Sequence, residues 1–281
     1  MPEDAPAPAP APAPAGDVPA VDVLVAVAHG SEDPRAAATT EALMSLVRSR
    51  AEAAGRGPGL DVRTAYLGHS VPSLPQVLGT LGDDQRVCVL PLLLTAAYHS
   101  KTDIPRILAR SALDVTYCAT LGPHPLLSRA LERRLAEAEG GAAALADRAG
   151  TAVVLAAAGS SDPEANATVS GLAARWHADG GWHTVLPAFA SAAAPTPAEA
   201  VATLLSSGGR RAARRAARRA PRRVVVATYL LAPGLFADRI RRDALAAGAA
   251  AVSGALGAAP ELADIVLERH EAASARRRRA A

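Results

Sequence analysis

The sequence VDVLVAVAHGSEDP, residues 21–34, joins a short apolar run to a polar turn and a helix start. Residues 21–28 are mostly apolar and rich in valine, as expected of a buried strand in a parallel sheet. Asp33 followed by Pro34 is typical of a first helical turn, because aspartate caps free backbone N–H groups and proline fits the first helical position. The stretch therefore predicts a strand that ends at a polar turn, His29–Ser31, and leads into a helix.

The same alternation continues outward from this stretch. Further apolar runs occupy residues 60–67, 86–94 and 114–120, and helical patterns lie near residues 34–54, 73–82, 103–112 and 124–138. Strands that alternate with helices are joined by right-handed crossovers, which place helices on both faces of the sheet. We therefore predict a doubly wound parallel α/β lobe.

The second half of the chain repeats the first. AHGSEDP (28–34) returns as AAGSSDP (157–163), and RVCVLPLLLTAAYHS (86–100) returns as RVVVATYLLAPGLFA (223–237), at separations of 129 and 137 residues. Residues 65–73 likewise match 188–196, and residues 121–127 match 256–262, at separations of 123 and 135 residues. The repeat predicts two similar doubly wound parallel-sheet lobes with a cleft between them.

The predicted organisation has six parts. They are a disordered Pro/Ala-rich arm (1–20), a first lobe (21–138), a linker (139–150), a second lobe (151–272), an Arg-rich insertion within it (209–223) and a basic tail (273–281). The arm lacks the basic start and leucine-rich run of a secretory signal.

Composition excludes several classes of protein. No stretch of about 18 uninterrupted apolar residues is present, which argues against a transmembrane helix. Cys88 and Cys118 lie inside apolar runs, which favours buried free thiols and a cytoplasmic location.

The net charge of the chain is +3, but twelve arginines belong to the insertion and the tail. Without these twelve the net charge of the remaining residues is −9. The basic character is therefore confined to two local patches.

Two histidines follow predicted strands of the first lobe. His29 comes directly after the run that ends at residue 28, and His99 follows the run at 86–94. Ligands of open parallel sheets bind beyond the carboxyl ends of the strands, so both imidazoles are expected at one edge. Imidazole binds metal ions and accepts protons near neutral pH. The repeat places Ala158 and Phe236 at the matching positions, so the fold itself does not require these histidines.

The ordered motifs of the first lobe resemble those of the sirohydrochlorin chelatase family, which inserts cobalt or ferrous iron into a tetrapyrrole. The motifs are AHGSEDPR (28–35), AYLGHSVPSL (65–74), PLLLTAAYHSKTDIP (91–105) and LGPHP (121–125). The resemblance implies a two-lobed fold like that of class II chelatases. It also implies a lyase, a sirohydrochlorin ferrochelatase or cobaltochelatase of the sirohaem or cobalamin route. His29 and His99 would be the catalytic and metal-handling residues, with Fe²⁺ or Co²⁺ as substrate metal and no tightly bound cofactor.

One position departs from the family pattern. Many relatives carry an acidic residue in the segment after the second strand, where this chain has Gly68. The neighbouring His69 is a candidate third metal ligand, although strand alternation could turn it to the other face. The alternative for His69 is a solvent-facing loop residue.

The implied substrate carries eight carboxylates, so local cations are expected to bind it. Lys101 and Arg106 flank His99, while Ser31 and Arg35 follow His29 at a helix start, where backbone N–H groups attract anions. For Ser31 and Arg35, helix capping and a solvated face are the competing interpretations. His124 is interpreted as a residue of a turn or helix start.

Two other functions remain open at this point. A non-catalytic metal carrier could use the same histidines, but it would be better served by more ligands. A nucleic-acid-binding protein would rest on the arginines alone, and a solvated insertion accounts for these more simply because no aromatic residues accompany them. We expect a cytoplasmic monomer that binds sirohydrochlorin and a divalent metal, with Fe²⁺ preferred, and neither a membrane nor nucleic acid.

Overall fold

The computed structural model describes residues 21–55, 59–206 and 221–280. Its strands are β1 Asp22–Ala28, β2 Leu60–Tyr66, β3 Arg86–Pro91, β4 Val115–Tyr117, β5 Thr151–Ala157, β6 Thr184–Phe189, β7 Arg223–Tyr229 and β8 Ala251–Val252. Its α-helices are α1 Pro34–Ala53, α2 Leu74–Leu78, α3 Ile104–Leu108, α4 Leu126–Ala138, α5 Pro163–Gly180, α6 Pro197–Ser206, α7 Leu235–Ala246 and α8 Pro260–Ala280.

The strands form two parallel four-stranded sheets of the same order. The first sheet runs β2-β1-β3-β4 and the second β6-β5-β7-β8. In each sheet the first strand of the lobe lies in the interior, and it pairs with the second strand on one side and the third on the other. The predicted pair of doubly wound lobes is thereby confirmed. The point where the strand order reverses lies between β1 and β3, which is where such sheets bind ligands.

Helices cover both faces of each sheet. The outer face of the first sheet packs on α2 and α3, and the outer face of the second packs on α6 and α7. The inner faces share one apolar core with α1, α4, α5 and α8, in which Leu24, Leu131, Leu155 and Ile265 are fully buried. The two lobes therefore meet across a common helical layer.

The last helix of each half packs against the sheet of the other half. Helix α4 lies against β7 and β8, whereas α8 lies against β3, β4 and α1. The sequence assigned α4 to the first lobe because it precedes the linker. Its apolar stripe, Leu127, Leu131 and Leu135, is buried, but such a stripe specifies a buried face and not the sheet that covers it.

The predicted linker and most of the predicted basic tail are part of the folded body. The linker contains a 3₁₀ turn, Ala142–Leu145, and helix α8 extends into the predicted basic tail as far as residue 280. Arg277 of that tail pairs with Asp114 at 2.5 Å. The arm and residues 209–220 of the Arg-rich insertion lie outside the described residues, while Arg223 opens β7. Among the described helices, none is long and apolar enough to cross a membrane.

Candidate functional site

The structure brings His29 and His99 together at the edge predicted from the sequence. His29 follows β1, and His99 opens a π-helical turn, His99–Asp103, after the loop that leaves β3. Because β1 and β3 are neighbours in the sheet, the two imidazoles meet with ring centroids 4.6 Å apart and planes inclined by 47°. Such a pair can hold one ion or receive two protons at one place.

A tight crossing of two backbones fixes His29. Gly30 has a φ of +88°, and a Cβ at this position would lie 1.7 Å from the carbonyl oxygen of Gly68. The Gly68 N–H donates to the His29 carbonyl over 3.1 Å. Only glycine fits at residue 30, because both the conformation and the contact exclude a side chain.

Hydrogen bonds of the preceding loop fix His99. The buried Ser100 hydroxyl donates to the Ala97 carbonyl at 3.0 Å and accepts from the Ala97 N–H at 3.1 Å. The hydroxyl of Tyr117, which lies in the neighbouring strand β4, donates to the Ser100 carbonyl at 2.8 Å. The turn that carries His99 is thus tied to the preceding loop and to strand β4.

Asp103 is a site residue that the sequence interpretation missed. Its Oδ2 lies 2.6 Å from His99 Nδ1. A carboxylate at this nitrogen favours the tautomer with hydrogen on Nδ1, which leaves the Nε2 lone pair for a metal ion or a proton. The four-residue spacing on a helical turn was a usable signal, and so was the repeat, which puts Ile240 at the matching position.

The surroundings of His29 keep its imidazole neutral. Burial lowers the pKa of His29 from its usual 6.5, and the nearby His99 and His69 lower it further, against a smaller opposing effect of Asp103. Burial penalises the charged form and like charges repel, so both effects favour the free base. His29 therefore presents a lone pair at neutral pH.

His69 lies at the mouth of the same cleft. Its backbone is left-handed, with φ +57°, and its side chain is 55% exposed, with Nδ1 3.6 Å from Glu32. The matching residue of the second lobe, Ala192, has a φ of +58°, so this conformation belongs to the fold and not to the histidine. Within the described ranges, no three His, Cys, Asp or Glu side chains converge as a metal site. A ligand role for His69 stays a prediction.

The four predicted substrate-binding residues occupy different surroundings. Ser31 lines the cleft, and its hydroxyl accepts from the Asp33 N–H at 3.1 Å, as expected of a residue at a helix start. Arg35 and Lys101 lie at the rim, each paired with an acid of the second lobe. Arg106 is exposed on α3 and is not among the residues that line the cleft.

His124 has the helix-start role expected for it. Its Nδ1 accepts from the Leu126 N–H at 3.2 Å, at the first residue of α4. The other ring nitrogen pairs with Glu268 at 2.9 Å.

The cleft between the lobes is large and mainly apolar. Its volume is about 880 Å³, and the second lobe supplies Tyr229, Leu235 and Phe236 to its wall. The side chains of Leu235 and Phe236 are 80% and 41% exposed. Such high exposure of neighbouring large apolar side chains is typical of a binding surface. The Tyr229 hydroxyl donates to the Leu94 carbonyl at 3.0 Å and joins the lobes. A flat, largely apolar molecule can enter beside the two histidines.

Solved structures of similar fold come from bacterial chelatases. "SirB from Bacillus subtilis with Fe3+" is 23% identical over 90% of this chain and 96% of that one, with a TM-score of 0.68. The cobalt complex of the sirohydrochlorin chelatase SirB from Bacillus subtilis subspecies spizizenii is 21% identical over the same shares, with a TM-score of 0.67. CbiX, described as the terminal enzyme of sirohaem biosynthesis in denitrifying bacteria, is 21% identical over 90% and 99% of the two chains, with a TM-score of 0.62. At these identities the likeness shows the fold.

Family membership follows from the sequence itself. No curated protein matches the chain significantly. The family model described as CbiX matches twice, over residues 23–138 and 152–273, which agrees with the internal repeat. Because these matches cover most of the sequence, the chain belongs to the CbiX family.

Proposed function

We propose that this chain is a sirohydrochlorin chelatase, a lyase that inserts Fe²⁺ or Co²⁺ into the macrocycle. The observation that carries the proposal is the His29–His99 pair, with ring centroids 4.6 Å apart, in the wall of a cleft shared by two lobes. Membership of the CbiX family and the metal-bound SirB structures of the same fold support it.

Insertion replaces two pyrrole N–H protons by one divalent metal ion. The two imidazoles first hold the ion, and each lone pair that the ion leaves on passing to the macrocycle then accepts one of the two protons, since a neutral imidazole can do either. Two protein ligands suit a metal that must leave, whereas a complete set of four would retain it. Asp103 holds the His99 ring in place and keeps hydrogen on Nδ1, which leaves the Nε2 lone pair for the ion or the proton.

The second lobe provides a wall for the macrocycle. Phe236 occupies the position that matches His99 in the repeat, so an aromatic ring stands where the first lobe has its metal ligand. Phe236 and Leu235 offer apolar surface to one face of the tetrapyrrole. The histidines of the first lobe act on its central nitrogens from the other face. Because one chain supplies both walls, a monomer is sufficient.

The carrier alternative requires a site that retains its metal. Within the described part of the chain, no third ligand joins the two histidines in a metal-holding arrangement. The buried free thiols Cys88 and Cys118 agree with a cytoplasmic location. Imidazole suits both iron and cobalt, and we retain Fe²⁺ as the preferred substrate on the general role of sirohaem.

The test is anaerobic incubation of the chain with sirohydrochlorin and either Fe²⁺ or Co²⁺, followed through the visible spectrum of the macrocycle. We expect insertion to be faster than in the mixture without protein, and the ratio of the two rates to rank the metals. A native chain that binds metal but only matches the protein-free rate would contradict the chelatase proposal and favour the carrier.

A further inference from the structure

Two sets of ion pairs cross the cleft between the lobes. Arg35, at the start of α1, lies 2.6 Å from Asp238 at the start of α7. Lys101, in the π-helical turn, lies 2.9 Å from Asp162 and 2.7 Å from Glu164 at the start of α5. We call these contacts the rim clamps. Each one ties a first-lobe cation next to a metal-handling histidine to an acid of the second lobe.

The internal repeat relates the two rim clamps to each other with the charges reversed. The separation of 129 residues places Glu164 at the position that matches Arg35, and the separation of 137 places Asp238 at the position that matches Lys101. If the second lobe were identical to the first, a lysine would stand at position 238 opposite Arg35. The two cations would then repel each other. In the rim clamps the first lobe supplies both cations and the second lobe the three acids, and Arg35 also binds Asp33 of its own lobe at 2.7 Å.

The rim clamps are open to competition. The side chains of Arg35 and Lys101 are 52% and 42% exposed, and ion pairs this exposed are individually weak. A macrocycle bearing eight carboxylates presents the same chemical group that holds these cations in the rim clamps. Asp238 also lines the cleft and would repel such an anion if it lost its arginine.

We propose that Arg35 and Lys101 exchange the second-lobe acids for carboxylates of the tetrapyrrole, so that the cations that hold the rim clamps become the cations that anchor the substrate. This inference rests on the proposed function, because it takes sirohydrochlorin as the ligand. The second-lobe acids therefore lower the affinity for the substrate, because each one binds a cation that a substrate carboxylate needs. The exchange also explains how an acidic protein body can take up an acidic substrate.

The test compares dissociation constants of metal-free sirohydrochlorin for the full chain and for Glu164→Gln combined with Asp238→Asn. Asp162 is left intact because it caps α5. We expect the double variant to bind about three- to tenfold more tightly, since two exposed ion pairs no longer compete. Asp61→Asn, which removes an ion pair with Arg63 inside the first lobe, is the matched control and should leave the constant unchanged.

Two further measurements complete the test. Lys101→Gln combined with Arg35→Gln should weaken binding, because the substrate loses its cations. The affinity difference between the acid-free double variant and the native chain should shrink as the salt concentration rises, because salt screens the ion pairs of the rim clamps. Unchanged or weaker binding by the acid-free variant, or an affinity difference that persists at high salt, would overturn the rim-clamp exchange. Insertion is assayed on the same preparations, and its absence from the native chain would instead contradict the proposed function.

Discussion

The two lobes share a backbone and differ in chemistry. Asp33 and Asp162 cap α1 and α5 in the same way, each accepting from the N–H two residues on. Gly30 and Gly159 have φ values of +88° and +85°, and a Cβ at either would lie within 2 Å of a backbone oxygen. The fold therefore needs the turn, the cap and the glycine, and it can be built without an imidazole.

The residues peculiar to the first lobe form one connected group. His29, His69, His99 and Asp103 match Ala158, Ala192, Phe236 and Ile240 in the second lobe. The histidines and the carboxylate that orients one of them are thus present together or absent together. Replacing each residue by its counterpart removes chemistry at positions where the fold accepts the substitute.

The largest effect is expected from His29→Ala and His99→Phe. Each change removes a ligand and proton acceptor, so insertion should fall on the order of 100-fold or more. Initial rates of Co²⁺ insertion measure this loss, and thermal unfolding should show folded proteins. His183→Ala, in the second lobe, is the control and should keep the native rate. Retention of more than a tenth of the rate by both variants would contradict the role of the pair.

Gly30→Ala and Gly159→Ala test what the lobes share. Each adds a Cβ against a carbonyl oxygen at a positive φ, so each should lower the free energy of unfolding by about 2–4 kcal/mol. Chemical denaturation measures the loss. Only Gly30→Ala displaces His29, so the folded fraction of Gly159→Ala should insert metal at the native rate. Equal loss of activity in both variants would show that the lobes are not separable in this way.

Asp103→Asn tests the orientation of His99. The amide keeps the size of the carboxylate and removes its charge, and loss of such a partner commonly costs about 10- to 100-fold in metal affinity or activity. We expect a weaker Co²⁺ complex, a lower insertion rate and an unchanged melting temperature. A variant with native Co²⁺ affinity and native rate would reduce Asp103 to a structural residue of the turn.

His69→Ala should have the smallest effect. Because His69 contributes to lowering the pKa of His29, its removal should raise that pKa toward 6.5. Insertion needs neutral His29, so kcat/KM falls as the pH drops through this pKa, and the acid limb should move upward by less than about one pH unit. The pH profile measures the shift. A large loss of rate at pH 8 would instead indicate that His69 is a metal ligand.

Sequence predicted the end of β1 and the two histidines because both depend on local patterns, whereas the runs at 86–94 and 114–120 extend three residues beyond β3 and β4. The apolar run before His29 and the helix start at Asp33-Pro34 identify the carboxyl edge of the sheet. This edge does not depend on how the lobe packs against the rest of the chain. The exchange of α4 and α8 depends on contacts between distant segments, which the apolar stripe of one helix does not encode. The partners of Arg35 and Lys101 were missed for the same reason, since the acids lie in the other lobe.

The most direct test of the account is a titration of Co²⁺ into the chain without the macrocycle, followed by addition of sirohydrochlorin. Visible absorption of the bound ion reports its ligands. We predict one bound Co²⁺ in the native chain, no such complex in the combined His29→Ala and His99→Phe variant, and transfer of the bound ion to sirohydrochlorin in the native chain. The same Co²⁺ spectrum in both proteins would contradict the claim that these two histidines hold the metal.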